Sequence, residues 1–104
     1  MIRHIVAFNL KPEVGTEDRE WLFAHARKLL APIPTVKGMA IGKGYVPPDA
    51  SGKPKRPMEY DWAMTMEFDD RAAFEVYSKH PDHVAFGPEI LKRASVLKVM
   101  DFES

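Results

Sequence analysis

Residues 59–68 read EYDWAMTMEF. Tyr60, Trp62, Met64, Met66 and Phe68 fall on every second position, with Asp61, Ala63, Thr65 and Glu67 between them. A period of two belongs to a β-strand, whose side chains alternate between faces. A face this apolar must be covered, and the flanking segments supply the cover.

Upstream, residues 2–10 repeat the alternation. His4, Val6, Phe8 and Leu10 share one face, and Arg3, Ile5, Ala7 and Asn9 the other. Both faces are partly apolar, which a strand with one solvated face does not need. After Pro12 and Gly15, Thr16 is the expected helix N-cap, with Glu17 and Asp18 at the positive end of the dipole. Leu22, Phe23, Ala26, Leu29 and Leu30 form one helical stripe, and Pro32 and Pro34 end it. A second strand is expected over residues 36–45, where Gly38, Gly42 and Gly44 permit close approach of another backbone. Residues 45–58, YVPPDASGKPKRPM, carry four prolines and three basic residues. They read as an exposed excursion without regular structure.

Downstream, Asp69 and Asp70 are expected to cap a helix whose inner face is Ala73, Phe74 and Tyr77. A further helical segment starts at Pro81, and a last strand covers about residues 95–102. The order β-α-β-β-α-β predicts an α+β, ferredoxin-like single domain over residues 1–104, with a four-stranded antiparallel sheet and helices on one face. The other face is left bare. It would show Ile5, Ala7, Ala63 and Thr65, a mixture that suits a second subunit better than water, so a homodimer joined sheet to sheet is expected.

Composition excludes whole classes of partner. Among 104 residues, 15 Lys plus Arg balance 15 Asp plus Glu, so nothing attracts a nucleic acid electrostatically. With no cysteine there are no disulfides, thiolate zinc sites or thiol nucleophiles. The apolar runs fall short of the roughly 20 residues of a membrane helix. MIRHIVAFNL enters a strand at once, without the features of a secretory signal, so a cytoplasmic location is expected.

The chemistry-bearing segment is YSKHPDHVAF, residues 77–86. A residue before proline avoids the α region, so one helix should stop by His80. Pro81 then opens the next, with His80 at or beside the N-cap and His83 as the third helical residue. Phe86, Gly87 and Ile90 share the side of His83, while Asp82, Glu89 and Lys92 lie opposite. Gly87-Pro88 is expected to kink or restart this helix. The positive helix start disfavours an imidazolium, so His83 is expected to be neutral and able to accept a proton. His4, Tyr77 and His83 would then converge between sheet and helices. Equally, an inward histidine is often a core group hydrogen-bonded to backbone. Trp62, Met64, Phe86 and Phe8 would give the pocket an apolar lining for a small hydrophobic ligand. A metal held by His4, His80 and His83 is not expected, since His80 and His83 diverge and Asp82 faces outward. His25, beside Leu22 and Leu29, reads as a structural or surface residue.

These segments together resemble a stress-responsive A/B barrel (Dabb) domain over nearly the whole length. The matching features are MIRHIVAFNLKP, VKGMAIGKG, YDWAMTMEFDD, YSKHPDHVAF and SVLKVMDFE. The resemblance implies a ferredoxin-like fold and a dimer whose sheets form a barrel. It also implies a relation to a plant polyketide (olivetolic acid) cyclase, which performs an aldol condensation without metal or organic cofactor. On that pattern His83 is the acid–base histidine, Tyr77 orients it, and His4 matches the strand-one histidine. Trp62 and Ala26 depart, standing where that enzyme has a histidine and a tyrosine. Some relatives hold a cation on backbone carbonyls, here around Leu30, Ile33 and Val36. Two functions stay open: a cofactor-independent cyclase- or lyase-like acid–base enzyme, and a non-catalytic dimeric binding or structural stress protein.

Overall fold

Two alternating strands with one apolar face each pack best as neighbours under a common cover, and the computed structural model, which describes residues 1–104, shows this. The elements are β1 (Ile2–Leu10), α1 (Thr16–Leu30), β2 (Lys37–Lys43), β3 (Trp62–Phe68), α2 (Arg71–Lys79), α3 (Pro81–Arg93) and β4 (Ala94–Glu103). The sheet order is β2-β3-β1-β4, antiparallel throughout. This is the ferredoxin-like α+β fold, its second crossover split into α2 and α3.

Register keeps each face coherent. His4, Val6 and Phe8 pair with Met66, Met64 and Trp62 of β3, and with Asp101, Val99 and Leu97 of β4. Those rows face the helices, where Leu22, Leu30, Met66 and Phe68 are among the most deeply buried side chains. On the opposite face no helix covers Ile5, Ala7, Ala63, Thr65 or their β4 neighbours Lys98 and Met100. No helix is long and apolar enough to cross a membrane.

The helix ends differ in detail from the expectation. Gly15, not Thr16, is the N-cap of α1: it is extended, and its carbonyl accepts the Arg19 N–H at 3.0 Å with no side-chain cap. Asp70 alone caps α2, its carboxylate accepting from the Ala73 N–H at 2.8 Å. Asp69 instead takes the Lys37 ammonium at 2.9 Å. The helix does not restart at Gly87-Pro88: one continuous helix runs from Pro81 to Arg93 with Pro88 inside it. Proline removes only the bond to the Val84 carbonyl, and Val84 lies on the exposed side, where water can replace it.

The excursion between β2 and β3 is not irregular. It folds back as a hairpin-like arm with Pro48 opposite Pro54, and the Lys55 N–H reaches the Pro47 carbonyl at 3.0 Å. The Asp49 carboxylate organises its tip, accepting from Ser51 N–H, Ser51 Oγ and Lys53 N–H at 2.8, 2.6 and 3.1 Å. Gly52 supplies the left-handed residue, at φ 85°. Asn9 staples the arm's base: its amide donates to the Glu59 carbonyl at 2.9 Å and accepts the Asp61 N–H at 2.6 Å. A side chain thus replaces the ladder there, and β3 begins at Trp62 rather than at residue 59.

Candidate active site

The HPDH segment joins two helices that each leave backbone groups unpaired at their ends. His80 is extended, as its proline neighbour requires, and its N–H closes α2 on the Tyr77 carbonyl at 3.1 Å. Its Nδ1 accepts the Asp82 N–H at 3.1 Å and so caps α3. His83 does the converse for α2. Its Nδ1 lies 2.9 Å from the carbonyl oxygen of Ser78, in the last turn of α2. A carbonyl can only accept, so Nδ1 carries the proton and the neutral ring keeps its lone pair on Nε2. The tautomer is set by backbone.

Tyr77 packs its ring against this imidazole, centroids 4.4 Å apart and planes tilted 46°. Contact replaces the hydrogen bond that an orienting tyrosine would make; the Ser78 carbonyl is what orients His83. The phenol forms no hydrogen bond within the chain and is 2% exposed. Burial, and secondarily the negative charge of Asp101, push its pKa well above the usual range, so it stays a neutral donor.

His4 lies 6.0 Å from the Tyr77 ring, centroid to centroid, and is 8% exposed. Its Nδ1 is hydrogen-bonded to the Asp101 carboxylate, directly opposite on β4. Sequence reading missed Asp101. The available signal was its parity: it is the polar member of the row Leu97, Val99, Asp101, which β1–β4 pairing sets against Phe8, Val6 and His4.

His4, Tyr77 and His83 line a cavity of about 210 Å³ between the β1–β4 side of the sheet and α3, with Met64, Phe86 and Ile90 among its apolar walls. Apart from Gly87 and these three polar side chains, the other seven of its eleven lining residues are aliphatic, methionine or phenylalanine, so the polar groups stand in a mainly apolar setting. Phe8 and Trp62 lie elsewhere. Phe8 is closed in the core against Phe23, ring centroids 6.1 Å apart. Trp62 meets the same Phe23 at 5.1 Å, with the Arg19 guanidinium 4.8 Å over its ring. Ala26 is buried in α1, and His25 stacks on Trp21 at 4.6 Å. After α1, the Leu30 and Ile33 carbonyls accept turn bonds from Ile33 and Val36 N–H at 3.2 and 2.9 Å. The buried Thr35 hydroxyl in that turn lacks a partner, an oxygen of the kind a hard cation takes.

Comparison with known proteins places this architecture. A Dabb-family ferredoxin-like protein from Mesorhizobium loti is 28% identical, with TM-score 0.82, and the match covers 99% of this chain and 95% of that one. A dimeric ferredoxin-like protein of unknown function from Thermobifida fusca is 28% identical at TM-score 0.79, covering 99% and 90%. A hydroxynitrile lyase from Passiflora edulis shares the fold at TM-score 0.80 and 20% identity, covering 97% and 90%. No curated protein matches the sequence. The model of the stress responsive A/B barrel domain matches residues 2–104, and the chain belongs to that family.

Proposed function

We infer that the protein binds a compact, largely apolar carbonyl compound in the cavity and moves a proton on it through His83. One observation carries this: an imidazole whose Nδ1–H is committed to backbone, leaving Nε2 for a ligand in an apolar cavity. For an enolisable ketone, Nε2 takes the α-proton, the C–H electrons become an enolate, and the neutral Tyr77 phenol is placed to donate to its oxygen. The enolate carbon then attacks a second carbonyl, and the imidazolium returns its proton to the new alkoxide. Cleavage of a hydroxynitrile uses the same parts: Nε2 takes the hydroxyl proton as the C–C bond to the nitrile breaks, and the departing cyanide recovers it. The hydroxynitrile lyase from Passiflora edulis on this fold supports that class of chemistry. At about 210 Å³ the cavity lies below the roughly 300–1,000 Å³ of drug-sized sites, which favours a small substrate over a long polyketide.

The working unit in this reading is a homodimer joined through the open sheet face, supported by the dimeric neighbours. The cysteine-free composition accords with a cytoplasmic setting.

A second reading has its own observation. His83 already serves as the C-terminal cap of α2, so the segment is explained without chemistry and the cavity becomes a binding pocket only. Acetophenone in D₂O and mandelonitrile separate the two. The acid–base reading expects deuterium uptake at the ketone methyl or release of benzaldehyde, lost in His83→Gln. Rates equal to buffer with both probes, or unchanged in His83→Gln, would overturn it.

A further inference from the structure

Nothing in the backbone conformation asks for glycine at position 87. It is an interior residue of the thirteen-residue α3, and the left-handed glycines of the chain are Gly38 and Gly52. A helix interior favours alanine over glycine, because glycine has more freedom to lose. Packing does not forbid a side chain either: a Cβ built on Gly87 would meet no atom within 4 Å. At Gly44, by contrast, a Cβ would run into the Tyr60 carbonyl oxygen. The space left open beside Gly87 is the cavity, whose wall it forms with His83 and Leu91. Within the chain only Pro88 has a claim on the missing side chain, since a proline ring crowds the Cβ of the helical residue before it.

The cavity has two unlike ends. His83, Gly87 and Leu91 follow one another at four-residue steps on one side of α3, each step about 6 Å along the axis. Tyr77 and His4 stand at the His83 end, whereas Ile90 and Leu97 join Leu91 at the other. The sheet floor keeps the same order, from His4 through Val6, paired with Val99, to Leu97. Leu91 and Val99 are 63% and 52% exposed, so the apolar part opens to solvent between α3 and β4, an edge strand of the sheet. Gly87 is thus the waist between the proton-transfer groups and an apolar mouth.

We propose that Gly87 is the specificity-determining residue of the cavity. The substrate's carbonyl lies among His83, Tyr77 and His4, and its apolar body, of about the length of a phenyl ring, crosses the bare backbone of Gly87 toward Leu91 and Leu97. The inference rests on the carbonyl-binding reading above and adds the residue that selects the substituent on that carbonyl. A side chain at position 87 fills the gap and turns the cavity against aryl ketones, because a single methyl group in an apolar pocket changes selectivity tenfold or more.

Acetophenone and acetone provide the test, since each has an exchangeable methyl and they differ in the group that must cross the waist. Acetophenone binding is followed by NMR titration, and methyl deuterium uptake is measured for both ketones. Gly87→Ala should weaken acetophenone binding at least about tenfold, and Gly87→Leu further. The ratio of acetophenone to acetone exchange should fall by a similar factor, chiefly through the KM for acetophenone. Introduced into Pro88→Ala, where no ring crowds the new Cβ, Gly87→Ala should also raise the melting temperature by about 2–8 °C. Acetophenone binding unchanged in Gly87→Ala, or weakened together with a lower melting temperature in that background, overturns the proposal and makes the glycine structural. A wild-type protein that binds acetophenone but exchanges neither methyl overturns the acid–base chemistry alone, and the binding comparison still decides on Gly87. One that does not bind acetophenone overturns both. Should Gly87→Leu fail to fold, Gly87→Ala carries the test.

Discussion

His80 and His83 are three residues apart and do opposite jobs, one accepting from the start of α3 and the other donating to the end of α2. Removing the second should therefore be felt in stability as well as in chemistry. His83→Ala orphans the Ser78 carbonyl and is expected to cost about 1–2 kcal/mol, read by urea denaturation. An unchanged midpoint would mean that the cap contributes nothing. Tyr77 gives the pH signature. Burial and Asp101 raise its folded pKa above the ordinary value of 10.0. A group raised on folding contributes stability that is whole below its unfolded pKa and lost as pH rises through the folded one. Wild type should thus lose stability above pH 10 more steeply than Tyr77→Phe does, and the curves should coincide at neutral pH apart from a constant offset. Parallel curves through the alkaline range would contradict the assignment. His4, Tyr77 and His83 were readable as one group from strand parity and helical spacing. Asp101 was not, because its pairing with His4 spans 97 residues and depends on the β1–β4 register.

At the scale of elements, local rules read well where one residue decides and poorly where two candidates compete. Asp69 and Asp70 illustrate this, since either could cap α2. The structure gives the cap to Asp70 and an exposed ion pair to Asp69. Asp70→Ala should cost about 1 kcal/mol in thermal or urea denaturation, whereas Asp69→Ala should stay within about 0.5 kcal/mol. Equal losses would mean that the capping bond carries no special weight. Pro88 is the clearer miss. Intrinsic propensity sets proline about 3 kcal/mol below alanine in a helix interior, which predicts a break. Instead α3 runs on, held by Phe86 and Ile90 in the core and by Arg93, whose guanidinium reaches Asp18 of α1 at 2.8 Å. Tertiary contacts override the propensity without abolishing it. Pro88→Ala, which restores an N–H facing the Val84 carbonyl, should therefore raise the melting temperature; a decrease would show that the proline ring packs to advantage. The arm was unreadable for another reason. Four prolines announce a loop, but the Asx turn at Asp49 and the staple from Asn9 depend on side chains meeting at particular distances.

The whole molecule shows more surface than its size warrants. A monomer of 11.8 kDa is expected to expose about 5,900 Å², and this one exposes 6634 Å². The excess, roughly 700 Å², is close to the about 800 Å² that one partner contributes to a standard interface. Its radius of gyration, 15.0 Å against about 13 Å for a chain this long, reflects a slab only 18 Å thick with an arm at one end. Only 15 of 104 residues are buried, and all but Ile33, in the turn after α1, lie on one side of the sheet or in the helices above it. Two layers with one bare face are half of a sandwich, and in the proposed dimer a second copy would supply the other half with the same pattern of Ile5, Ala7, Ala63 and Thr65. Stability should then depend on protomer concentration, because mass action draws the folded state toward the dimer. The expected result is a melting temperature that rises with dilution reversed, from low to high micromolar protein. Ala63→Glu should remove that rise and leave a monomer that melts lower, since a carboxylate at the centre of the face must be desolvated to pair. The cavity lies on the far side of the sheet from this substitution, so ligand-induced stabilisation by a bound carbonyl probe should survive in the monomer. A melting temperature independent of concentration in wild type would mean that the bare face is tolerated by the isolated protomer, and the excess surface would then have no partner to account for it.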